Sequence, residues 1–265
     1  MIKRCFDILL SFVGLIVAGP ALVPVMLLVW LQEFESPLYV APRVGWNGRM
    51  FRMIKLRSMV VGADQSGVDS TPLGDPRITR VGRFIRAYKL DEIFQLWNVL
   101  KGDMSLVGPR PNVKRETDLY TNVEKKLLTV KPGITELSSI VFADEAEILK
   151  DSSDPNITYN QLVRPWKSRL SLLYIERQSL ILDLHLIFLT IVGVFWRGAA
   201  LAGVGRILRR LGASEASRRV ARRDRPLVPT PPLGALHIVT TRDVAGGTAE
   251  DRAGSPREAT AEGSA

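Results

Sequence analysis

The chain has 265 residues, 46% of them hydrophobic and 24% charged, with a formal net charge of +9. That length holds one domain with a sizeable core plus appendages, or at most two small domains. The one cysteine, Cys5, excludes an internal disulfide and a cysteine-rich zinc site, and the only histidines, His185 and His237, disfavour a histidine triad, so catalysis falls to carboxylates and basic side chains.

The first element is an uncharged run of 24 residues from Ile8 to Leu31, preceded by Lys3 and Arg4. A straight helix of that length measures about 36 Å, against a bilayer core of about 30 Å. The run is long for the apolar part of a cleaved signal and has no convincing small-residue exit site. Two readings stay open: a signal-anchor helix, or a helix that enters the membrane, breaks and returns. Pro20 and Pro24 each remove an amide donor, which favours a bend. Basic residues lie on both flanks, with Arg43, Arg49, Arg52, Lys55 and Arg57 after the run, so positive charge is satisfied if both ends stay inside.

From Glu33 the chain turns polar. Pro37–Val40 reads as an extended entry, Asn47-Gly48 as a turn and Phe51–Arg57 as a returning strand. Gly62–Pro76 is a long loop without an apolar run. A short helix is predicted over Arg83–Tyr88 and a mostly buried one over Leu90–Leu100, stopped by Gly102. Amphipathic helices follow over Val113–Val130 and Leu162–Gln178. Leu180–Trp196 is strongly apolar but short for a span, and reads as a buried or interfacial helix. Residues 199–265 form a basic tail, largely disordered apart from helix around Ile207–Val220. Nine arginines between Arg197 and Arg225 oppose only Glu215 and Asp224, so most of the excess charge sits there rather than in a folded nucleic-acid reading element.

The residues that carry chemistry cluster in Lys89–Pro111. Asp91 and Glu92 are adjacent acids at a predicted helix start, where they either complement the helix dipole or serve a reaction. The second option gains from context, because a mostly buried helix does not carry two charges without partners. An aspartate can attack phosphorus, and phosphoryl transfer needs mainly positioning and charge neutralisation by arginine and Mg²⁺. Arg110 is held stiffly between Pro109 and Pro111, either as a loop arginine or as a phosphate ligand. Lys55 and Arg57 belong either to a solvated strand face or to the site, and Asp103 is either a turn residue or part of the site.

The order and spacing of these motifs resemble the bacterial sugar transferases, the monotopic polyprenyl-phosphate phosphoglycosyl transferases. The resemblance rests on Lys55-Leu-Arg-Ser-Met59, Asp75-Pro-Arg-Ile-Thr-Arg-Val-Gly-Arg83, the Asp91-Glu92 helix, Gly102-Asp-Met-Ser-Leu-Val-Gly-Pro-Arg-Pro111 and Lys131-Pro-Gly-Ile-Thr135. It runs from Lys3 to about Gly198. It implies an α/β fold, mostly helical with a small sheet, with an N-terminal re-entrant helix and amphipathic interfacial helices. The implied organisation is a membrane-embedded segment 1–34, a catalytic domain 35–198 on the cytoplasmic face of the bacterial inner membrane, and the tail 199–265. The implied reaction moves a sugar 1-phosphate from a UDP-sugar to polyprenyl (undecaprenyl) phosphate and releases UMP, initiating exopolysaccharide, O-antigen or similar glycan synthesis. Asp91 is the implied nucleophile, Glu92 its partner and with it the holder of Mg²⁺, while Arg110, Lys55, Arg57 and Arg86 bind phosphate. The implied partners are membrane lipid and the two substrates, with no nucleic acid; self-association stays open. Three departures stand out: Gly19 replaces the serine of the family's Ser-Pro break, Phe94 a frequent proline, and Glu136-Leu-Ser-Ser-Ile-Val-Phe142 the commoner Gly-x-Ala-Gln-Val-x-Gly run. The alternative function is a non-catalytic basic membrane anchor or scaffold.

Overall fold

A computed structural model describes residues 2–66 and 70–241. Its elements in chain order are α1 (Ile2–Glu33), β1 (Leu38–Val44), β2 (Met50–Leu56), α2 (Arg80–Ala87), α3 (Gln95–Lys101), β3 (Ser105–Val107), α4 (Lys114–Asp118), β4 (Gly133–Thr135), α5 (Leu137–Val141), α6 (Glu145–Ile148), α7 (Pro155–Thr158), α8 (Arg164–Arg177), α9 (Leu180–Phe195), α10 (Arg197–Arg210) and α11 (Glu215–Arg222). The fold is mostly helical with two small sheets, as the sequence predicts. β1 and β2 form an antiparallel hairpin, with Leu38 opposite Leu56, and β3 pairs with β4 in parallel. The main core gathers Met53, Met104, Leu137, Leu149, Leu170, Leu186 and Leu208 from both halves of the chain.

α1 is one continuous helix with Pro20 and Pro24 inside it, where the sequence predicts a break. It is long and apolar enough to cross a membrane. Its outer face, including Phe12, Ile16, Val17, Val23, Leu27 and Leu28, is more than half exposed among the described residues. The body nevertheless grips both of its ends. Near the start, Arg4 donates to the carbonyls of Val99 (2.5 Å), which also accepts from the Gly102 amide, and Leu100 (2.9 Å) at the end of α3. Buried Asp7 accepts from the Ser105 hydroxyl (2.8 Å) and the Leu106 amide (3.2 Å). Lys3 bonds Asp183 at the start of α9, and Asp183 also accepts from the Tyr174 hydroxyl at 2.7 Å. At the far end Val29 packs with Leu56 and Ile85, and Glu33 lies 3.9 Å from Arg57.

Two predicted elements differ. Val113–Val130 is not a single helix but α4 followed by a 3₁₀ run over Glu124–Thr129. Thr121 and Glu124 form a reciprocal capping box: the Glu124 amide donates to the Thr121 hydroxyl (3.1 Å) and the Thr121 amide to the Glu124 carboxylate (3.2 Å). That box starts a new turn and stops the first. The region after residue 199, expected to be largely disordered, continues into α10 and α11. Gly203 lets α10 approach so closely that a Cβ there would lie 2.4 Å from Leu189, and Val204 and Leu208 are fully buried. Residues 223–241 then run along the body, where the Thr230 amide donates to the Gln161 carbonyl and Gln161 to the Val239 carbonyl. The remainder of the predicted tail, 242–265, lies outside the described residues.

Glu124 also anchors α8. Arg164 donates to both of its oxygens (2.5 and 3.2 Å), Ser168 adds a third bond (2.7 Å), and the ion pair is almost wholly buried. Removing one partner strands the other charge, so Glu124→Ala is expected to cost about 3–5 kcal/mol in equilibrium unfolding. A loss below about 1 kcal/mol would show that the pair does not hold the 3₁₀ run in place.

Candidate active site

Three chain segments converge. β2 delivers Lys55, α2 delivers Arg86, and a 3₁₀ turn over Leu90–Glu92 carries the acids. The predicted helix over Leu90–Leu100 therefore splits into this turn and α3. Lys89 stands ahead of the turn with φ of 57°, a left-handed conformation uncommon for a side chain of this kind. Close approaches set the frame. A Cβ at Gly82 would lie 1.9 Å from the Ser58 carbonyl oxygen, so only glycine lets α2 rest on the strand end. A Cβ at Gly133 would lie 2.1 Å from the Gly108 amide nitrogen, so the two glycines cross back to back. The crossing is closed by bonds from the Gly108 amide to Thr135 (3.0 Å) and from the Gly133 amide to Pro109 (2.9 Å). It fixes where Pro109-Arg110-Pro111 leaves the sheet.

From there Arg110 reaches Glu92, with Nη2 2.6 Å from Oε1. Burial pushes the Glu92 carboxyl up, but Arg110, Lys55 and Lys89 outweigh it and hold the group down at about 2. Glu92 in turn raises the Arg110 pKa above its ordinary value. Burial and the Arg110 charge lower Lys55 to about 8, opposed by Asp91 and Glu92. Arg86 is lowered by burial and supported by Asp91 and Asp75, and its Nε donates to the Ser58 hydroxyl at 2.9 Å. Asp91 is 9% exposed, and its carboxylate makes no hydrogen bond or ion pair among the described residues. A nearly buried carboxylate with its lone pairs free, beside Lys55, Arg86 and Arg110, can attack an electrophile or bind a cation.

Of the six predicted site residues, the structure brings together Asp91, Glu92, Arg110, Lys55 and Arg86. Arg57 instead faces Glu33 at the end of α1. Asp103 is structural, accepting from Asn98 (3.3 Å) and pairing with Lys101 (3.1 Å). Sequence reasoning missed two supports. Asn98, fully buried, accepts from the Ile54 amide (2.9 Å) and donates to the Arg52 carbonyl (2.7 Å), tying α3 to the strand that carries Lys55. Its only signal was an amide inside an otherwise apolar helix. Glu136, 1% exposed, accepts from Ser138 (2.5 Å) and Ser171 (2.8 Å) and lines a cavity of about 40 Å³ with Arg110, Lys167 and Tyr159. Burial pushes its carboxyl up to about 7, while the two hydroxyls, Lys167 and the Arg110 backbone pull the other way. Its signal was the departure after Thr135.

Residues 1–197 match the bacterial sugar transferase family along their whole length. The chain belongs to that family. Among relatives of this sugar transferase, the galactosyl transferase CpsE of Streptococcus agalactiae serotype III (strain NEM316) is 37% identical over 202 residues, covering 71% of this chain and 41% of CpsE. The undecaprenyl-phosphate glucose phosphotransferase of Komagataeibacter xylinus is 38% identical over 198 residues, 71% of this chain and 35% of that protein. The exopolysaccharide production protein ExoY of Sinorhizobium fredii (strain NBRC 101917 / NGR234) is 33% identical over 207 residues, 72% of this chain and 84% of ExoY. The chain thus spans about two fifths of the first relative and most of the third.

With Lys55 lowered to about 8 by burial and Arg110, the cluster's attraction for an anion should weaken around that pH. Affinity for sulfate, a probe anion whose own charge is constant, is expected to fall about tenfold between pH 7 and 9 by calorimetry, and Lys55→Met should remove that limb. An unchanged limb in Lys55→Met would take the lysine out of the binding site.

Proposed function

We propose that this sugar transferase moves a sugar 1-phosphate from a UDP-sugar to polyprenyl phosphate, undecaprenyl phosphate in a bacterium, through a covalent intermediate on Asp91. The observation that carries the reading is the free Asp91 carboxylate set among Lys55, Arg86 and the Arg110–Glu92 pair. In the first step an Asp91 oxygen attacks the sugar-bearing phosphorus. The bond from that phosphorus to the bridging oxygen breaks, and UMP leaves with the electron pair. In the second step an oxygen of polyprenyl phosphate attacks the same phosphorus and displaces the Asp91 carboxylate. The products are UMP and a polyprenyl diphosphate sugar, the first lipid-linked unit of an exopolysaccharide or related glycan.

Each side chain has a physical task. Arg110 and Lys55 offset the charge of the two phosphates, and Arg86 holds cationic charge at the nucleophile. Glu92 keeps Arg110 in place, and the flanking prolines limit the entropy that the arginine loses on binding. Among the described residues no three potential metal ligands gather in one place. Mg²⁺ nevertheless fits here, since it is commonly held by one or two carboxylates plus substrate phosphates, and the unpartnered Asp91 and neighbouring Glu92 supply the carboxylates. When bound it would neutralise charge on the diphosphate.

The acceptor's lipid cannot leave the bilayer, so the site must sit at the membrane surface. The exposed apolar face of α1 supplies the contact. The grip on both ends of α1 by one body supports both ends staying on one side of the bilayer, the helix being embedded without the predicted break, over a crossing that would carry one end away. On this reading the protein lies at the inner membrane with its site facing the cytoplasm. Asp91→Asn is expected to lower UMP release from a panel of UDP-sugars, with Mg²⁺ and undecaprenyl phosphate, by more than about a thousandfold. Folded Asp91→Asn protein with near-normal release would refute the assignment, and wild-type protein inert toward every sugar would leave only an anchor.

A further inference from the structure

The segment beyond the family match carries a surface that the transferase reaction does not use. Of nine arginines in 197–225, four are paired: Arg197 and Arg223 with Asp144, Arg218 with Glu215, and Arg222 with Glu215 and Asp224. The other five, Arg206, Arg209, Arg210, Arg219 and Arg225, are exposed and make no ion pair or side-chain hydrogen bond among the described residues. Every acidic side chain on this stretch is already engaged, so five guanidinium groups stand uncompensated.

Their setting decides what they meet. α9 turns an apolar stripe outward: Ile181, Leu184, Phe188, Ile191 and Phe195, spaced three and four apart and each between 47% and 70% exposed, with Trp196 following at 68%. That spacing keeps one face aligned over four turns. α10 runs antiparallel beside α9, because Gly193 faces Ala200 and Gly203 faces Leu189. Both helices rest on each other and on α5, so their exposed stripes turn away from the same body. The antiparallel course carries Arg206, Arg209 and Arg210 back alongside the first half of the α9 stripe. Lys3, at the start of α1, bonds Asp183 at the start of α9, which makes this surface continuous with the membrane helix.

An apolar stripe rimmed by unpaired arginines suits a bilayer surface with anionic headgroups: the apolar residues enter the acyl boundary and the guanidinium groups pair with phosphates. α9 fits the interfacial helices that the family resemblance implies; we infer that the segment following it makes this contact select anionic lipid, through Arg206, Arg209 and Arg210 beside the stripe and Arg219 and Arg225 farther along the chain. The inference rests on the membrane placement of α1 and is independent of the chemistry at Asp91.

The test is native mass spectrometry of the full-length protein in neutral detergent, titrated with dioleoyl phosphatidylglycerol or dioleoyl phosphatidylcholine. The wild type should retain phosphatidylglycerol at least about tenfold better, with the preference shrinking as salt rises. Replacing the five arginines together by glutamine should abolish the preference, and replacing them by lysine should keep most of it, since charge is what is read. UMP release should survive in both variants, which separates this result from failure of the catalytic reading. The inference is overturned if the wild type shows no preference, if the glutamine variant keeps it, if the lysine variant loses it, or if an RNA oligonucleotide or acidic peptide displaces the lipid.

Discussion

The ion pair between Glu92 and Arg110 is the interaction on which the site depends. Two adjacent carboxylates at the mouth of an apolar body repel each other and resist desolvation, and neither stays charged there without compensation. Arg110 compensates one of them at 2.6 Å, and so leaves Asp91 with free lone pairs while still within reach of three cations. Much of the surrounding architecture serves to deliver that arginine. The crossing of Gly108 and Gly133 sets the exit of the Pro-Arg-Pro segment, Glu136 and its two serines lie beneath it, and Asn98 ties the acid-bearing region to the strand that supplies Lys55.

The same body holds the membrane helix at both ends. Arg4 binds the last carbonyls of α3, Asp7 binds the strand leading to Arg110, and Lys3 shares Asp183 with Tyr174 and also donates to the Val107 carbonyl (3.3 Å). The start of α1 is therefore coupled through a few buried polar bonds to the strand that ends at Gly108. That coupling gives a physical reason for the proposed reaction at the lipid boundary: the apolar helix also braces the loop that carries Arg110.

How much of this was legible in the sequence depended on the kind of signal. Lys55, Asp91, Glu92 and Arg110 were readable because short motifs with prolines and glycines fix their spacing, and the structure gathers them as those motifs imply. Arg57 stands apart from the cluster that its motif neighbours Lys55 and Ser58 face, because its own ion-pair partner, Glu33, belongs to the end of α1. Helix boundaries failed where a local polar bond overrode periodicity, as at the Thr121–Glu124 box. After residue 199 the sequence suggests helix only around Ile207–Val220, because alanine and glycine look unable to build a core, yet they let α10 sit close against α9. Buried polar supports such as Asp183, Asn98 and Glu136 leave no periodic trace, since their partners lie far away along the chain.

The account's central claim is that Asp91, and not its neighbour, makes the bond to phosphorus. Its most direct test is to mix the wild-type protein with UDP-sugar in the absence of lipid acceptor, quench within a single turnover, and locate any added mass by peptide sequencing in a mass spectrometer. A sugar-phosphate adduct confined to Asp91, formed in step with UMP, is the predicted result. An adduct on Glu92 or elsewhere, or UMP formed only when acceptor is present and never with a modified protein, would contradict it.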